Sequence, residues 1–110
     1  MKLLNELTEL YIGAFKNKDL VGVEELFHEN ATLIDPNVSV TGRNDLTIAI
    51  RNIFESFVNL EFNVRNIYYD RSTSIVEFEL ILDGNSYIGV DIIDWDNGKI
   101  IKLRAYLYKL

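Results

Sequence analysis

The sequence predicts an α+β domain in which a curved antiparallel sheet wraps over helices. Apolar residues recur at helical spacing in the first half of the chain. After Asn59 the spacing changes to alternation. Short turn-forming clusters then separate the alternating runs, so successive strands pair as antiparallel neighbours.

The first helix is carried by Leu3, Leu4, Leu7, Leu10, Tyr11, Ala14 and Phe15, which place it at about Lys2 to Lys16. Asp19 is a good N-cap for a second, shorter helix with an apolar face of Leu20, Val23, Leu26 and Phe27. That helix ends near His28. Ala31-Thr32-Leu33-Ile34 reads as a strand that stops at Asp35-Pro36, because proline removes a donor and constrains the residue before it. Val38 to Val40 is a second extended piece, turned by Gly42. The third helix starts near Asn44 or Asp45 and buries Leu46, Ala49, Ile50, Ile53, Phe54 and Phe57. Strands follow at Glu61–Tyr69, Ser74–Leu82, Ser86–Trp95 and Lys99–Tyr108. Asp70-Arg71-Ser72-Thr73, Asp83-Gly84-Asn85 and Asp96-Asn97-Gly98 supply the turns between them.

The chain of 110 residues suits one domain, spanning residues 1–110. With 48% of its residues apolar it can bury a core without disulfides, and it has no cysteine. Thiolate nucleophiles and zinc–thiolate sites are thereby excluded. A single histidine excludes a His-rich metal site, and the carboxylates show no metal-ligand spacing, so neither metal nor cofactor is expected. The net charge of −6, with scattered Lys and Arg, disfavours nucleic acid as a partner. No apolar run approaches the ~20 residues that cross a bilayer. The first residues meet Asn5, Glu6 and Glu9 too soon for a signal-peptide core. The expectation is a soluble cytoplasmic protein with no membrane partner.

Strand parity singles out one carboxyl. Tyr87, Gly89, Asp91, Ile93 and Trp95 share one face of their strand, and Ile88, Val90 and Ile92 share the other. Both faces are largely apolar, whereas a one-sided sheet has a polar outer face. In the last strand Leu103, Ala105 and Leu107 alternate with Lys102, Arg104, Tyr106 and Tyr108, a mixture common at interfaces. A homodimer through the sheet is expected.

The run from Asp19 to Pro36, then Gly42-Arg43, then Gly98 to Tyr106, resembles the nuclear transport factor two-like superfamily, also called SnoaL-like, over nearly the whole chain. The resemblance implies a cone-shaped, cystatin-like fold: a bent antiparallel sheet around three N-terminal helices, a deep apolar pocket, and a dimer through the sheet. At the site the chain is most similar to ketosteroid isomerase, whose general-base aspartate lies in an Ala-Thr-x-x-Asp-Pro segment. Here that segment is Ala31 to Pro36 and the base is Asp35. Ungapped alignment back from Asp35 brings the family's oxyanion-hole tyrosine onto Tyr11. Alignment back from Gly98, with one deletion in the hairpin, brings its protonated aspartate onto Asp91. Phe27 and Ile50 stand where the family enzyme has tyrosines that support the oxyanion-hole tyrosine, and Leu107 replaces a pocket tryptophan.

The implied activity is cofactor-free proton transfer on a small apolar carbonyl compound. Asp35 would move the proton, and Tyr11 with Asp91 would stabilise the enolate; this division of labour is that of ketosteroid isomerase itself. Phe54, Val76, Phe78, Leu80, Leu103, Ala105 and Leu107 would line the pocket. Each catalytic candidate also has a structural reading. Asp35 can cap a turn before Pro36. Asp91 can be an exposed strand residue, or pair with Lys102 or Arg104, although parity puts those bases on the opposite face. Tyr11 can be a core tyrosine. The alternatives at the level of the whole protein are a non-catalytic dimeric domain that binds an apolar molecule, and a SnoaL-like cyclase or dehydratase.

Overall fold

A computed structural model describes residues 2–110. Its elements in chain order are α1 (Leu4–Lys16), α2 (Leu20–Leu26), β1 (Phe27–Ile34), β2 (Ser39–Thr41), α3 (Arg43–Ser56), β3 (Leu60–Asp70), β4 (Thr73–Leu82), β5 (Asn85–Asp96) and β6 (Lys99–Lys109). The six strands form one curved sheet in the order β2-β1-β6-β5-β4-β3, with the helices on its inner side.

The α+β plan of three helices and a bent sheet is as expected. Strands β3 to β6 form the antiparallel meander. Two of its turns, Asp83-Gly84 and Asn97-Gly98, are two-residue hairpin loops with positive φ at both positions (48° and 86°, 50° and 77°). That geometry matches the twist of the flanking strands, and Asp-Gly and Asn-Gly supply it at low cost. One pairing departs from the antiparallel pattern: β1 lies parallel to β6, with Leu33 opposite Leu103, so the sheet is mixed. The chain reaches β6 only after α3 and three further strands, and a connection of that length permits a parallel return.

The second helix is shorter than its apolar spacing suggests. Asp19 caps it as expected, with the Gly22 amide donating to Asp19 Oδ1 at 3.0 Å. The helix stops at Leu26, and Phe27 and His28 already belong to β1. Phe27 pairs with Ile100 of β6, so a partner remote in sequence overrides the local helical pattern. His28 therefore sits exposed on a strand rather than at a helix end.

Burial along β4 alternates without a break, and β5 follows the same rule from Gly89 to Trp95. The inward set packs against α1 and α3 through a chain of aromatic rings. Phe15 meets Phe54 at 5.4 Å and Phe62 at 5.2 Å, and Phe62 meets Phe78 at 4.6 Å between centroids. Such pairs add ~0.5–1.5 kcal/mol each beyond the area they bury. The ammonium of Lys18, in the turn after α1, donates to the Phe57 and Val58 carbonyls and so fixes the end of α3.

Candidate active site

An apolar cavity of about 220 Å³ lies between the concave face of the sheet, α1 and α3. Tyr11, Asp35 and Asp91 all lie on its wall. The structure thus brings together three groups that the sequence separates widely.

Tyr11 comes from the buried stripe of α1 and is 4% exposed. Its ring lies against Phe15 at 6.1 Å and meets the edge of Phe27 at 6.4 Å. Phe27 packs against the tyrosine but offers its hydroxyl no hydrogen bond, and Ile50 on the cavity wall offers none either. Burial raises the Tyr11 pKa well above its ordinary value, and the nearby charge of Asp91 raises it further. Tyr11 therefore stays a neutral donor.

Asp91 points inward because it shares strand parity with Gly89 and Ile93. It is opposite Ala105 on β6 and Val76 on β4. The Asp91 side chain is 5% exposed and takes part in no ion pair among the described residues. The bases considered as its partners are on the other face, where Arg104 pairs with Asp94 at 3.8 Å. Burial of a carboxylate without a counter-charge is costly. It pushes the Asp91 pKa from 3.8 up to about 7, with the charge of Asp35 adding to the effect of burial.

Asp35 ends β1 and has both the roles its sequence context allows. Its Oδ1 accepts hydrogen bonds from the amides of Asn37 and Val38, each at 2.7 Å, which closes a turn around Pro36. Its amide donates to the Val38 carbonyl at 2.8 Å. The half-buried carboxylate nonetheless borders the cavity, and the turn bonds use only Oδ1. The turn thus acts as a mount: it fixes the carboxylate in one orientation at the cavity wall.

Of the expected pocket residues, Phe78, Leu80, Leu103, Ala105 and Leu107 are on the wall. Phe54 and Val76 are buried in the core and do not reach it. Phe54 packs against Phe15, which is itself on the wall. The wall also includes residues that sequence reasoning did not select, among them Asn37, Ile53, Phe57, Phe62 and Tyr87. Tyr87 carried a usable signal, since it shares the parity of Asp91. Ile53 and Phe57 lie on the apolar stripe of α3, but nothing in that stripe distinguishes a cavity wall from a packed core. Gly89 lies close beneath two wall residues. A Cβ there would fall 2.7 Å from Leu107 Cβ and 2.8 Å from Phe78 Cζ, so its absence lets both wall residues close over β5.

A second depression of about 470 Å³ lies outside α3, bounded by Val38, Val40, Ile48, Ile53 and Phe57 among others. It is open to solvent, and Asp45 is the only ionisable residue on its wall. It has no buried polar group with which to do chemistry. Among the described residues no group of His, Cys, Asp and Glu could hold a metal ion, and no helix is long and apolar enough to cross a membrane.

A curved sheet over three helices thus encloses an apolar cavity with acidic groups on its wall. The model of the SnoaL-like domain family matches residues 8–103, and the chain belongs to that family. No curated protein matches the sequence. Among solved structures, an NTF2-like protein of unknown function from Cytophaga hutchinsonii superposes with a TM-score of 0.86 at 13% identity, covering 98% of this chain and 92% of that one. A "putative ketosteroid isomerase" from Kribbella flavida superposes with a TM-score of 0.86 at 16% identity, covering 97% and 78%. An LEH-like epoxide hydrolase from M. tuberculosis gives 0.81 at 17% identity, covering 96% and 82%. At these identities the likeness is one of fold, and the fold hosts several chemistries.

Proposed function

We propose that this protein catalyses cofactor-free proton transfer next to the carbonyl of a small apolar compound, in the manner of ketosteroid isomerase. One observation carries the proposal: two buried groups, Tyr11 and Asp91, which make no side-chain hydrogen bond or ion pair among the described residues, share a cavity wall with the mounted carboxylate of Asp35. A ligand oxygen between Tyr11 and protonated Asp91 would accept a hydrogen bond from each. Asp35 would take a proton from the carbon α to that carbonyl, leaving an enolate whose charge the two donors stabilise. In a β,γ-unsaturated ketone, returning the proton to the γ carbon moves the double bond into conjugation with the carbonyl. Donors aimed at developing charge in a water-poor site are worth more than in solution.

The cavity wall has no arginine. That disfavours an epoxide-hydrolase reading, which requires an arginine set between two aspartates. A non-catalytic binder of an apolar molecule is the second reading, and the turn role of Asp35 favours it. The deciding measurement is exchange of α-protons into heavy water over a panel of apolar ketones. Wild type is expected to exchange them, and Asp91→Leu to do so ~10²–10³-fold more slowly, the typical loss of one such donor. Absence of exchange throughout the panel leaves the binder.

The outer sheet face supports assembly as a homodimer. Ile88, Val90 and Ile92 are only half-buried in the single chain, and Tyr106 and Tyr108 beside them are 53% and 64% exposed. Contiguous apolar surface of this kind marks interaction sites. Sedimentation at micromolar concentration is expected to show a dimer, and a monomer there would rule out the sheet-to-sheet assembly.

A further inference from the structure

The cavity of about 220 Å³ is smaller than the ~300–1,000 Å³ of sites that take drug-sized ligands. Its ionisable wall groups are Tyr11, Asp35, Tyr87 and Asp91, with no lysine, arginine or histidine among them. Ile53 and Phe57 border both the cavity and the open groove outside α3. They form the partition between the inner cavity and the larger, more open groove. The Phe57 backbone is held by the Lys18 ammonium, so the aromatic wall is anchored at its base.

We infer that the substrate is a compact, neutral, single-ring ketone, and that Phe57 with Ile53 determines this limit by blocking extension of the ligand into the outer groove. The inference rests on the proton-transfer reading for its ketone and on the shape and charge of the cavity for its size and neutrality. A ligand carboxylate or phosphate would meet the Asp35 carboxylate and no cation on the wall. A four-ring ketone would have to displace the Ile53–Phe57 wall. Phe57 and Ile53 are specificity-determining residues, remote from the proton in flight.

The test measures binding and exchange separately. Ligand-observed NMR would compare a single-ring β,γ-unsaturated ketone, a four-ring ketone of the same type, and the single-ring ketone bearing a carboxylate. In wild type the neutral single-ring ketone is expected to bind at least about tenfold more tightly than either of the others, a difference of ~1.4 kcal/mol. In Phe57→Ala the preference over the four-ring ketone is expected to shrink, because cavity and groove become one space. Ile53→Ala serves the same purpose if Phe57→Ala does not fold. Equal or tighter binding of the four-ring or charged ketone by wild type would overturn the inference, as would an unchanged preference in a folded variant. Failure of every ketone to bind also overturns it. Selective binding of the single ring without α-proton exchange leaves the size limit standing and removes the catalytic reading. Exchange on four-ring ketones as fast as on single-ring ones removes the size limit and leaves the catalysis.

Discussion

Asp35→Asn is expected to lower α-proton exchange by ~10²–10⁴-fold or more, the usual contribution of a positioned general base. Ligand affinity should stay close to wild type. An amide keeps the shape and can still accept the Asn37 and Val38 hydrogen bonds through its oxygen, so the turn around Pro36 persists. The lost property is the ability to take a proton. Affinity should even rise slightly for ligands with a partial negative oxygen, because the negative charge of Asp35 is gone from the cavity wall. The measurement is a rate of deuterium incorporation beside a dissociation constant, each for wild type and variant. Equal exchange in both proteins would show that Asp35 serves the turn alone. A fall in affinity as large as the fall in rate would point to a distorted pocket instead of a missing base.

Asp91→Asn is expected to flatten the pH dependence of stability. The folded-state pKa of Asp91, about 7, lies above the 3.8 of an ordinary aspartate. Between those values the folded chain holds a proton that the unfolded chain has released. Stability from this group is therefore fully present below the unfolded value, falls as pH rises, and is lost once pH passes about 7. The loss between about pH 5 and about pH 8 is on the order of 2–3 kcal/mol. Asparagine cannot ionise, so the variant should gain on wild type by that amount across the interval. Urea unfolding of both proteins at several pH values and one fixed protein concentration would measure it. A parallel pair of curves would mean that Asp91 is hydrated in solution and titrates as an ordinary aspartate. The same titration links to activity. Only protonated Asp91 donates a hydrogen bond to an enolate, so exchange should decline as pH rises past about 7. The charge of Asp35 is the lesser cause of the shift, so in Asp35→Asn the loss of stability with rising pH should persist and end at somewhat lower pH.

Much of the site was legible because strand parity is a local rule. Alternation alone placed Asp91 with Gly89 and Ile93, away from Lys102 and Arg104, and the structure has it there. Helical spacing put Tyr11 on the buried stripe of α1. Asp35 followed from the proline beside it and from resemblance, and both its turn and its place on the cavity wall are present. Phe54 and Val76 show where such rules stop. They have the burial of pocket residues, yet both belong to the packed core and neither reaches the wall.

By itself the sequence determined the α+β order of elements, the hairpin turns at Asp83-Gly84 and Asn97-Gly98, and which side of β5 and β6 faces inward. These depend on backbone preference and on a two-residue period, both properties of neighbouring residues. Only the tertiary structure decided that α2 ends at Leu26, that β1 runs parallel to β6, and that Tyr11, Asp35 and Asp91 share the wall of one cavity. It also decided the proton affinity of Asp91. Pairing partners, leftover volume and desolvation all depend on what distant segments place around a residue, and none of the three is encoded in the residues on either side of it.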